Sequence, residues 1–275
     1  MIKPMLAQKV NTKPIDWTNK VFVQPKLDGV RCIFTKDGAY SRAGNEFKNV
    51  AHITEDLIDF FRKYPDAILD GELYNHALKD NFEKIISLVK KQKPTDQDAR
   101  EASNDVQYHV YDLVNEDQDY ESRYNWLLRH VPIASSMTVI KNTLVESYDE
   151  AQMLHKVHLA QGYEGSILRL NKPYELKRSY NLQKFKDFSD TEAFIVGYEA
   201  GKGKFEGLIG KFLMCDDDGN EFGCPIGKGY NFKDRKYILD NIHEYVGKRA
   251  TFTYFQRTKA GSYRHPLFKT LRNYE

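Results

Sequence analysis

The feature that most limits how this chain can fold is a change of texture near Asp190. Downstream of it the apolar runs are short (residues 193–198, 210–215 and 250–255), and turn signals such as Gly201-Lys202-Gly203 and Asp218-Gly219 separate them. Short runs bounded by glycine turns predict strands that close into a small antiparallel barrel. One amphipathic stretch over 234–245 interrupts the pattern. Upstream, strand-like runs (21–25, 30–35, 39–42, 67–74, 106–114, 166–170 and 182–185) alternate with stretches of helical period. The clearest of these is 50–64, with apolar residues at Val50, Ile53, Leu57, Ile58 and Phe61. Further helices are expected over 81–91, 120–130 and 149–161, the last stopped by Gly162, and 94–104 reads as a polar loop. The expected organisation is an α+β domain over 1–190 followed by a β-barrel over 191–275, and 275 residues suffice for two such cores.

Composition excludes some classes. Charged residues at 29% and hydrophobic ones at 41% are those of a globular protein. No apolar run approaches the roughly 18 residues that a membrane span needs. Met1-Ile2-Lys3-Pro4-Met5 lacks the apolar core of a signal peptide, so a cytoplasmic, membrane-free protein is expected. Cys32, Cys215 and Cys224 form no Cys-x-x-Cys pair, which argues against a zinc or disulfide framework. A net charge of +2 decides nothing about nucleic acid, but its distribution does. From Lys248 to Tyr274 there are seven Lys or Arg and no Asp or Glu, with Phe252, Tyr254, Phe255, Tyr263 and Phe268 interleaved. Such a segment suits a phosphate backbone, or the solvated faces of a β-rich domain.

The chemistry is concentrated in Lys26-Leu27-Asp28-Gly29-Val30-Arg31. A lysine amine, with an ordinary pKa of about 10.4, becomes a nucleophile when burial or neighbouring cations favour its neutral form. The same six residues also read as a β-hairpin with an Asp-Gly turn and two edge charges, as Lys36-Asp37-Gly38 does a little further on. Downstream clusters supply what attack on a nucleotide phosphate requires. Asp70-Gly71-Glu72 and Glu164-Gly165 bring carboxylates that suit a hard divalent ion. Lys184-Phe185-Lys186 places two cations on one face of a strand, where they neutralise phosphate charge. Tyr111 offers an aromatic face for a base. His155 and His158, three apart, lack a third ligand and read as helix surface or packing.

In this order the motifs resemble those of the covalent nucleotidyltransferases, the superfamily of ATP-dependent DNA ligases, RNA ligases and mRNA capping enzymes. Lys26 to Arg31 match the family's Lys-x-Asp-Gly-x-Arg at every fixed position. Ser41-Arg42, Asp70-Gly71-Glu72, Tyr111, Glu164-Gly165 and Lys184-Phe185-Lys186 follow in sequence. Lys3-Pro4-Met5-Leu6-Ala7 also looks like the segment that precedes the nucleophile in DNA ligases. The resemblance implies an adenylation domain with antiparallel sheets and flanking helices, then an OB-fold. It implies that Lys26 takes up AMP, that Gln24 meets the adenine edge, and that Arg31 and Glu72 contact the ribose. Tyr111 would stack on adenine, Glu164 with Glu72 would place the metal, and Lys184 and Lys186 would grip the α-phosphate. Arg42 would lie near the nick phosphates, with Arg178 a second DNA contact. Arg272 falls where the family's C-terminal motif has the arginine that meets pyrophosphate. The charged residues expected after it are replaced by Asn273 and Tyr274.

The reading is a minimal, monomeric ATP-dependent DNA ligase of phage or bacterial type. It would use ATP and Mg²⁺ (or Mn²⁺) to seal 5′-phosphate/3′-hydroxyl nicks in duplex DNA during repair, replication or recombination. RNA ligases, GTP-dependent capping guanylyltransferases and a non-catalytic nucleic-acid-binding module are the alternatives.

Overall fold

The computed structural model describes residues 2–10, 14–185, 189–227, 229–255, 257 and 261–272. They form two compact units, Met1–Lys186 and Asp187–Glu275.

Two five-stranded sheets build the first unit. One runs in the order Leu6–Lys9, Arg178–Phe185, Gly165–Leu170, Val21–Lys26, Thr143–Val145. The other runs Gly38–Ser41, Val30–Thr35, Leu69–Tyr74, Gln107–Leu113, Met137–Val139. Neighbours are antiparallel except for one edge pair in each sheet, Leu6–Lys9 with Arg178–Phe185 and Gln107–Leu113 with Met137–Val139. The strands on either side of Asp28-Gly29 do not pair with each other. Val21–Lys26 belongs to one sheet and Val30–Thr35 to the other, so the hairpin alternative is wrong. The chain instead steps from sheet to sheet there. Gly29 permits the step: a Cβ on it would lie 2.4 Å from the Leu73 carbonyl oxygen.

Helices cover the outer faces. Those of the second sheet share a core of Phe34, Ile53, Leu57, Leu69, Ile85, Ala102, Tyr108 and Leu127. Tyr148–Ala160 covers the first sheet through Ala151, against Val21, Val23 and Leu168. The helix expected over 50–64 is two, Ala51–Asp56 and Ile58–Lys63. The break is at fully buried Leu57, whose N–H is shared between the Ile53 and Thr54 carbonyls. The expected loop at 94–104 is a helix, Asp96–Asp105. It lacks an apolar stripe because Ala102 alone is buried, but a Thr95/Asp98 capping box satisfies its first turn, and Asp96 and Asp98 complement its dipole.

In the second unit the sheet order is Glu221–Pro225, Ile209–Cys215, Ser189–Ala200, Arg249–Tyr254, Leu267–Leu271. A parallel bridge between Ile226 and Phe268 joins the two outer strands and closes a barrel around Phe212, Met214, Phe252 and Phe268. The helix Phe232–Asp240, capped by Asn231, seats Ile238 in that core. Among the described residues no helix is long and apolar enough to cross a membrane.

Candidate active site

Three neighbouring strands of the first sheet carry the nucleophile candidate and its partners. Lys26 ends its strand opposite Gly165, which places Glu164 beside it. The Glu164 N–H donates to the Lys26 carbonyl at 3.1 Å, and its carboxylate forms an ion pair with the Lys26 ammonium. The Lys26 side chain is 22% exposed and lines the cleft described below, whereas that of Glu164 is 5% exposed. Gly165 makes the approach possible: its φ is +147°, and a Cβ there would lie 2.3 Å from the Phe185 carbonyl. His155 and His158 are buried behind this strand, with Nδ1 atoms 3.2 and 2.7 Å from the Ser166 hydroxyl. They are packing, and burial lowers His158 to about pKa 4, keeping it neutral.

The second sheet supplies the opposite wall. Arg31 donates from Nε and Nη2 to the Asp70 carboxylate at 2.9 and 2.5 Å, and from Nη1 to the Met5 carbonyl at 2.8 Å. Asp70 also accepts from the Tyr174 hydroxyl at 2.7 Å. Arg31 is thereby fixed with its guanidinium 5.7 Å from the centre of the Tyr111 ring. Burial pushes the Tyr111 hydroxyl well up, so it stays protonated and donates to Glu72 Oε2 at 3.4 Å. Between the walls lies a cleft of about 310 Å³ lined by Gln24, Lys26, Arg31, Arg42, Glu72, Tyr111, Arg169, Arg178 and Lys184. Arg178 donates to the Ala7 carbonyl at 2.5 Å. Arg272 lies in the second unit, paired with Glu192 on the first barrel strand. Lys186 lies outside the described residues.

Glu72 is raised from 4.5 to about 7, chiefly by burial. Lys26 and Arg31 pull it down, while Asp70 and Glu164 push it up. Between these two values the folded protein holds a proton that the unfolded chain has released. The stabilisation is therefore present below about pH 4.5 and lost as pH rises through 7, up to about 3 kcal/mol. Glu72→Gln is expected to cancel that slope. Its melting temperature relative to wild type, in nucleotide- and metal-free buffer, should be higher at pH 8 than at pH 5. An identical difference at the two pH values would refute it.

Sequence reading missed the layer beneath the cleft. Asp112, fully buried, accepts from Arg123 Nε at 2.7 Å and from Arg169 Nη1 at 2.6 Å. Arg169 packs between Tyr111 and Tyr120. The available signal was an arginine and an aspartate inside otherwise apolar strands, where each must find a partner.

Residues 4–186 match the family model described as ATP dependent DNA ligase domain, and 200–272 that described as DNA ligase OB-like domain. The chain belongs to the ATP-dependent DNA ligase family and is a ligase enzyme. It is 26% identical to the DNA ligase of Haemophilus influenzae, over 97% of this chain and 90% of that one. It is 27% identical to the DNA ligase of Enterobacteria phage T4, over 89% of this chain but 62% of the longer relative. Among solved structures a Lig E DNA ligase, from a study of DNA binding with a minimal scaffold, superposes with a TM-score of 0.81. It is 25% identical, covering 99% of this chain and all of that one. The chlorella virus DNA ligase–adenylate shares the fold at a TM-score of 0.52 and 23% identity, over 100% of this chain and 99% of that one.

Proposed function

We propose that this protein seals 5′-phosphate/3′-hydroxyl nicks in duplex DNA through an AMP carried on Lys26. The observation that carries the reading is the partly exposed Lys26 side chain in a cleft that also holds Lys184, Arg31 and the Tyr111 ring. Lys26 Nζ attacks the α-phosphorus of ATP; the new N–P bond forms as the P–O bond to pyrophosphate breaks, and pyrophosphate leaves with the electron pair. The Glu164 carboxylate, already against Nζ, is the acceptor placed to take its proton. Lys184 offsets charge on the α-phosphate as it becomes five-coordinate, Tyr111 gives the base a flat surface, and Arg31 is braced by Asp70 to hold the sugar. Lys186 is proposed alongside Lys184, and Arg42 and Arg178 as contacts to the 5′-phosphate strand. Arg272 could meet pyrophosphate only by leaving Glu192.

The residues fit a divalent ion. Glu72 and Glu164 converge on one lysine, and burial, the chief cause of the raised Glu72, means that a bound cation would favour its ionised form. Mg²⁺, held by these carboxylates and the nucleotide's phosphates, would neutralise charge on the transferred group.

Intact-mass measurement after incubation with Mg²⁺ and ATP, GTP or NAD⁺, followed by a chase with nicked DNA, tests the reading. An AMP adduct from ATP alone that nicked DNA discharges is expected. A GMP adduct would move the protein to the capping branch, and discharge by nicked RNA but not DNA to the RNA ligases. No adduct in protein stripped of AMP and pyrophosphate would leave a binding module.

A further inference from the structure

Arg169 is 2% exposed, and none of the roles above uses it. Its Nη1 is taken by Asp112. Its Nε donates to Gln24 Oε1 at 3.2 Å, and its guanidinium carbon lies 5.2 Å from the Tyr111 ring centre and 4.9 Å from that of Tyr120. The Tyr120 hydroxyl approaches the same Gln24 oxygen at 3.4 Å. An arginine N–H can only donate, so the atom of the Gln24 amide facing it must be the carbonyl oxygen. The NH₂ is therefore turned the other way. Gln24 lines the cleft, and among the described residues its NH₂ donates to no protein group.

We propose that Arg169 is a positioning residue that sets the polarity of base recognition. It holds Gln24 so that the amide offers N–H donors to the nucleobase, which must answer with an acceptor. In an adenine nucleotide the acceptors are the ring nitrogens N1, N3 and N7. The exocyclic amine is itself a donor and is read elsewhere. The inference rests on the proposal that the cleft takes ATP, and it concerns which edge of the base Gln24 meets. Two alternatives for the amide make opposite demands: oxygen forward selects an amine, and NH₂ forward selects a ring nitrogen.

The test is steady-state pyrophosphate release by the full chain as it seals saturating nicked DNA, with the AMP adduct checked by intact mass. The substrates are ATP, its 1-deaza, 3-deaza and 7-deaza analogues, and purine riboside triphosphate, which lacks the amine. In wild type one deaza analogue is expected to raise KM about tenfold or more, with kcat within about threefold, because a nearly buried NH₂ is left without an acceptor. Gln24→Glu keeps an oxygen for Arg169 but removes the NH₂, and the KM ratio of that analogue to ATP should fall to within about twofold. Arg169→Met frees the amide to turn, and the same ratio should fall to about threefold or less. Arg123 still pairs with Asp112 in that variant, and its thermal unfolding reports whether it folds. If it does not, the Gln24→Glu ratio decides.

Equal use of all deaza analogues by wild type overturns the proposal. So does a deaza penalty that survives Gln24→Glu, or a penalty for the missing amine that survives it, since an oxygen would then be reading the amine. An unchanged ratio in folded Arg169→Met removes Arg169 from the role. Wild type that takes no AMP from ATP overturns the ligase mechanism and this inference together, whereas normal adducts with no analogue discrimination overturn the inference alone.

Discussion

Lys26→Ala is expected to abolish AMP-adduct formation from ATP, by at least about a thousandfold, and ATP-dependent sealing with it. The loss follows from chemistry: the Lys26 amine lines the cleft and meets the Glu164 carboxylate, and alanine has no atom to bond phosphorus. A nick that already carries AMP on its 5′-phosphate bypasses that step. Its closure needs the 3′-hydroxyl as nucleophile and the cleft's cations to neutralise charge, so Lys26→Ala should retain measurable sealing of it. Lys26→Arg is expected to fail with ATP as completely, since a guanidinium keeps its proton and remains a poor nucleophile. Equal loss on ATP-dependent and pre-adenylylated sealing would remove Lys26 from the role of AMP acceptor.

The second large effect is on stability. Asp112 is one carboxylate shared by two buried guanidiniums, and it also accepts from the Leu113 N–H at 2.8 Å. Asp112→Ala strands both arginines in the floor of the site. Breaking a buried pair by removing one partner costs roughly 3–5 kcal/mol, which for a domain of this size lowers the melting temperature by about 10 °C or more. Asp112→Asn keeps an acceptor oxygen and should fall between wild type and alanine. Denaturant unfolding of the three proteins, compared at constant m-value, gives the ranking. A loss below about 1 kcal/mol for alanine would mean that water enters and solvates the arginines.

These two expectations rest on residues that were unequally visible in the sequence. The Val21-Phe22-Val23 run, the Asp70-Gly71-Glu72 cluster and the Glu164-Gly165 junction announce themselves locally: Val21 and Val23 are core beneath the strand that ends at Lys26, Gly165 pairs with Lys26, and Glu72 lines the cleft. Arg169, Asp112 and Arg123 do not, because each is a charge whose partner lies on another element, and sequence spacing carries no record of that meeting. The helix Asp96–Asp105 was hidden for the opposite reason: its evidence is a local cap, Thr95 with Asp98, and not a periodic face. The edge strands Leu6–Lys9, Met137–Val139 and Thr143–Val145 are too short to show alternation. The passage between sheets at Asp28-Gly29 could not be told from a hairpin, since an Asp-Gly pair suits a tight turn and the deciding contact is with the Leu73 backbone.

In each sheet of the first unit the three inner strands carry the side chains proposed to react or to bind nucleotide, whereas the outer strands give the cleft only Leu6 and Ala7. Edge strands fray at small cost, whereas inner strands are released only when the sheet as a whole opens. Breathing at Thr143–Val145 or Gly38–Ser41 therefore leaves the spacing between Lys26, Glu72 and Lys184 untouched. As temperature rises, catalytic competence in this domain should vanish in a single cooperative event and not erode by degrees.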